Sequence, residues 1–129
     1  MSLGQLALHV ASIPGDLARL AQLDEFDAEQ ANFEPANPNS VKELLTALDA
    51  SLGAAEEYLH RINDTTAAGV LRLTLRGKEV FTTPRSGLLR SRILNHWYHH
   101  RGQLSVYLRL LDVPLPLIYG RSADQNPFA

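Results

Sequence analysis

The chain has 129 residues, of which 45% are hydrophobic and 20% charged, the balance of an ordinary globular domain with one core over residues 1–129. A net charge of −2 with no block of like charges argues against a nucleic-acid footprint. The lack of cysteine excludes disulfides, thiolate metal sites and a cysteine nucleophile. No apolar run approaches the roughly 18 residues that a bilayer span requires, so no membrane segment is expected. Residues 1–20 lack the basic and apolar regions of a secretory signal, and a reducing, cytoplasmic setting is the expectation.

In chain order, Leu3, Leu6, Val10, Ile13, Leu17 and Leu20 recur at steps of three and four, the period of an amphipathic helix, with Ser2 as its N-cap. Pro14 and Gly15 interrupt the pattern without changing its phase, which predicts a kinked but continuous helix. Residues 24–39 are acidic, contain Pro35 and Pro38, and read as a surface connection. Ser40 and Glu43 form a capping box that opens a second helix, with Val41, Leu45, Leu48, Leu52, Ala55, Leu59 and Ile62 as its stripe and Asn63–Asp64 as its end. Residues 70–83 change to a period of two, with a turn at Arg76–Gly77, and predict a short hairpin. Pro84 and Ser86 then start a third helix that runs to about Leu111, with a stripe of Leu89, Ile93, Leu104, Tyr107 and Leu111. The proline-rich tail should lie extended on the helices, held by Leu117, Ile118 and Tyr119. The fold class expected is all-α: an up-down helical bundle of three long helices with a small hairpin before the last.

His96 and His100 stand at i and i+4 on that third helix, within its apolar stripe. Buried imidazoles need partners, and a divalent metal ion would serve both. The alternative is two boundary histidines, each bonded to a carbonyl or a carboxylate. Trp97 occupies the place where the metalloprotease motif carries its glutamate base, so peptidase chemistry is not supported. His9, on the flank of the first stripe, supplies a third nitrogen. Three protein ligands with a fourth position open is the arrangement of a reactive metal site, whereas a structural zinc closes with four. His99 lies about 100° off the stripe and is a candidate to support the ligands or to face solvent. Gln103, one turn beyond His99, could hold a metal-bound water or a histidine ring, or span a helix contact. His60, Arg101 and Arg109 read as solvated. No carboxylate stands out as a general base, and the metal could be zinc, nickel, copper or iron on imidazole chemistry alone.

The segments NHWYHHRGQLSVYLRLLDVPLPLIYG and SLGQLALHVASIP, with the hairpin between helices, resemble the DinB family, the DinB/YfiT-like metalloenzymes, over essentially the whole chain. The resemblance implies a four-helix bundle with a metal held by His9, His96 and His100, nickel or zinc being usual. It also implies frequent homodimers, and relatives that act as thiol S-transferases using bacillithiol or mycothiol, or as a mycothiol-dependent isomerase. By that resemblance the family's first helix is expected to be missing before residue 2, which would bare apolar surface beside residues 3–20 for a homodimer. The leading expectation is a metal-dependent enzyme acting on a small molecule with a low-molecular-weight thiol. The alternative is a non-catalytic, metal-binding bundle serving as a dimerisation or stress-response module.

Overall fold

A computed structural model describes residues 1–31 and 36–128. The first helix, α1, spans Leu3–Leu20. Its N-cap is Ser2, whose hydroxyl accepts the Gln5 amide while the Gln5 side chain accepts the Ser2 amide in return. Pro14 lies inside α1 without ending it, as its unchanged phase predicts. The second long helix, α2, spans Val41–Arg61. Ser40 caps it, but the Glu43 carboxylate reaches one residue further back than a capping box requires, to the Asn39 amide at 2.7 Å. The chain breaks at Ile62, and Asn63 caps a further short helix, α3, over Asp64–Ala68. The Asn63–Asp64 stop signal is therefore also a start signal.

Strands β2 (Val70–Leu75) and β3 (Lys78–Pro84) form the expected hairpin. Arg76 and Gly77 both take positive φ, the mirror-image turn that suits strand twist. A third strand, β1 (Glu25–Asp27), pairs parallel to β2, with Phe26 opposite Leu73, followed by a 3₁₀ turn at Ala28–Gln30. Residues 25–30 are therefore strand and 3₁₀ turn, not the plain surface connection expected over 24–39, while residues 32–35, with Pro35, lie outside the described set. The acidic character of this stretch has a physical use. Glu25 pairs with Arg72, Glu29 lies 3.5 Å from Arg76, and Asp24 lies 2.5 Å from Arg85.

The last helical run begins with α4 (Arg85–Leu88), passes through a seven-residue π segment at Leu89–Asn95, and continues as α5 (His96–Leu110). Its backbone stays helical through both junctions, so the expected long helix is present with a wider turn inside it. Because the π turns shift the register, the face continued from Leu89 does not stay inward: Leu104 is half-buried, but Tyr107 and Leu111 are exposed. The tail differs as well. Leu117, Ile118 and Tyr119 are all exposed, and polar contacts hold the segment instead. The Asp124 carboxylate takes the Arg109 guanidinium and the Leu115 amide, and Arg101 donates to the Tyr119 hydroxyl at 2.7 Å. Arg101 also lies over the rings of Tyr98 and Tyr119, so neither arginine is merely solvated.

Helix α1 is the shared partner, packed on α2 and also on the π segment and α5. Ala18, Ala21, Tyr58, Leu71 and Leu88 form the buried core at its C-terminal end, beside the sheet. Arg85 closes that end. Its Nε donates to the Ala21 carbonyl at 2.8 Å and its Nη2 to the Leu23 carbonyl at 2.9 Å, groups that a helix terminus otherwise leaves unpaired. The stripe expected on α2 is only partly inward. Leu48, Ala55 and Ile62 are half-buried, whereas Val41, Leu45, Leu52 and Leu59 face outward and Ser51 and Tyr58 take the buried positions. No described helix is long and apolar enough to cross a membrane.

Candidate metal centre

The imidazoles of His9, His96 and His100 meet where α1 faces the start of α5. Ring centroids are 5.4 Å apart for His9 and His96, 4.6 Å for His9 and His100, and 4.5 Å for His96 and His100. One nitrogen from each ring lies within 4.8 Å of the other two, so the three can hold a metal ion. All three residues are half-buried. The donor set fits a divalent ion of borderline softness, for which tetrahedral ligand nitrogens stand about 3.3 Å apart at zinc–nitrogen bonds of about 2.0–2.1 Å. The His96 and His100 Nε2 atoms are 2.7 Å apart.

Two local features bring the rings together. Pro14 has no N–H, so the carbonyl four residues earlier, that of Val10, lacks its helical donor. The Trp97 indole Nε1–H fills that role at 2.9 Å, tying the residue after His96 to the turn after His9. On the other flank of the same turn, the Ser51 hydroxyl of α2 accepts the Gly15 amide at 2.8 Å and donates to the Ser12 carbonyl at 3.0 Å. The proline turn of α1 is thus gripped from both sides. The π segment ends directly at His96, and such irregular turns recur at functional sites because they re-aim the side chains that follow.

The electrostatics keep two of the rings ready to coordinate. Burial, and next the charge of His100, pushes the His9 imidazole below its ordinary range, against a smaller opposing pull from Asp16. Burial likewise lowers His96, helped by His100, His9, Arg92 and His99. Both are therefore neutral near pH 7, with a lone pair free for a metal. Gln103 is exposed, and its Oε1 lies 2.7 Å from His100 Nδ1. His99 is exposed and edge-on to His100 at 4.9 Å. His60 is far along α2, exposed, 3.6 Å from Glu56.

Sequence reasoning missed Trp97 as the clamp and Arg92 as a charge acting on His96. A proline within a helix does signal the first, since it leaves the carbonyl at i−4 in need of a donor. No match to the chain is found among curated proteins or among solved structures. The DinB family model matches residues 1–126, and the chain belongs to the DinB family.

Proposed function

We propose that this protein is a metal-dependent enzyme of the DinB type, acting on a small molecule with a low-molecular-weight thiol as co-substrate. The observation that carries the reading is the convergence of three half-buried imidazoles, from two helices, on one point. His9, His96 and His100 would hold the ion, taken to be nickel or zinc on the family resemblance. When bound, a divalent ion with an open position supplies Lewis acidity that stabilises an anionic sulfur or oxygen at neutral pH. The chain's own residues bind and orient. Burial favours the neutral form of His9 and His96, Trp97 fixes the helix that carries the pair, and Gln103 and His99 border the ring of His100.

A second reading, a non-catalytic metal-binding module for dimerisation or a stress response, draws on the exposed aliphatic ladder of α2. Self-association into a homodimer belongs to both readings. A cobalt titration separates them. A catalytic site keeps an exchangeable position, so the visible spectrum of the cobalt-loaded protein should change when a small thiol or azide is added. A spectrum indifferent to both would leave a closed metal site and the second reading.

A further inference from the structure

Histidine can present either ring nitrogen to a metal, and the hydrogen bond made by the other nitrogen decides which. His100 has such a bond. Its Nδ1 faces the Gln103 Oε1 at 2.7 Å, while its Nε2 points into the cluster, 2.7 Å from His96 Nε2. An amide oxygen only accepts, so this contact requires the proton on His100 Nδ1. We propose that Gln103 is a positioning residue that locks His100 in the Nδ1–H tautomer, leaving the Nε2 lone pair free for the ion. Its use for metal binding rests on the three-histidine reading above.

Nitrogen-15 NMR of histidine-labelled, metal-free protein tests the lock directly. The expected result is a proton-bearing Nδ1 and a bare Nε2 on His100. In Gln103→Leu, His100 should lose that single tautomer and zinc affinity should fall about 10- to 100-fold, the usual effect of removing such a partner. Gln103→Glu keeps an acceptor in place and should restore both the tautomer and the affinity. Gln103 is exposed on α5, so neither change disturbs the core. A bare Nδ1 on wild-type His100, or an unchanged tautomer in Gln103→Leu, would overturn the proposal. Failure of wild type to take up zinc while His100 Nδ1 keeps its proton would instead overturn the metal reading alone.

Discussion

A methyl group on Gly15 would stand 2.7 Å from Ser51 Cα and 2.9 Å from its carbonyl oxygen, closer than real carbon contacts allow. The obstacle is backbone, so α1 and α2 would have to separate. That separation would pull the Ser51 hydroxyl away from the Gly15 amide and the Ser12 carbonyl. Gly15→Ala should therefore destabilise the protein by about 1–3 kcal/mol, as overpacking does. Chemical denaturation would measure it, and a midpoint equal to wild type would show that the two helices are not in forced contact. The same scale shows what the sequence reveals of the site. His96 and His100 were legible because i, i+4 spacing is local geometry. His9 needed the flank of a second stripe. Gln103 had three open roles, and the fold brings its Oε1 to 2.7 Å from His100 Nδ1. Trp97 looked like a missing base, because its partner carbonyl lies 87 positions earlier.

At the level of elements, α1 and the hairpin were legible because their signals are periodic and near in sequence. Strand β1 was not: three residues give no period, and its partner strand starts 45 positions later. The π segment was hidden for another reason, since spacings of four between apolar residues suit both a wide and an ordinary turn. The tail had no regular pattern, and its anchors are single polar contacts. Among them, Asp124 is held down to about 2 from 3.8, chiefly by its hydrogen bond from Arg109 and also by the Leu115 amide. A carboxyl with a lowered folded pKa stabilises the tail above the unfolded value and loses that contribution as pH falls. The tail should thus detach between about pH 4 and pH 2. Amide NMR signals of Leu115 and Leu117 moving to unfolded positions in that window would bear this out. Asp124→Asn should loosen the same signals at neutral pH. A tail unaffected by acid would mean that the arginine–carboxylate pair does not hold it.

For the whole molecule, Val41, Leu45, Leu52 and Leu59 form an outward row on α2, and Val106, Leu110 and Leu111 are exposed on the far half of α5 and just past its end. Apolar patches of this kind usually mark an interface. The expected partner is a second copy, since a straight aliphatic row can pair with itself about a two-fold axis. Light scattering over a dilution series should show a dimer, and Leu45→Glu with Leu52→Glu should yield a monomer. A wild-type monomer at every concentration would contradict this.

In the proposed function, His9, His96 and His100 hold one metal with a position left open. Cobalt titration followed by visible spectroscopy tests it most directly. Wild type should take up one equivalent, with a spectrum that shifts on adding a small thiol. His9→Ala, His96→Ala and His100→Ala should each lose most of that affinity, while His60→Ala, exposed and distant on α2, should match wild type. Equal uptake by wild type and His100→Ala would contradict the account.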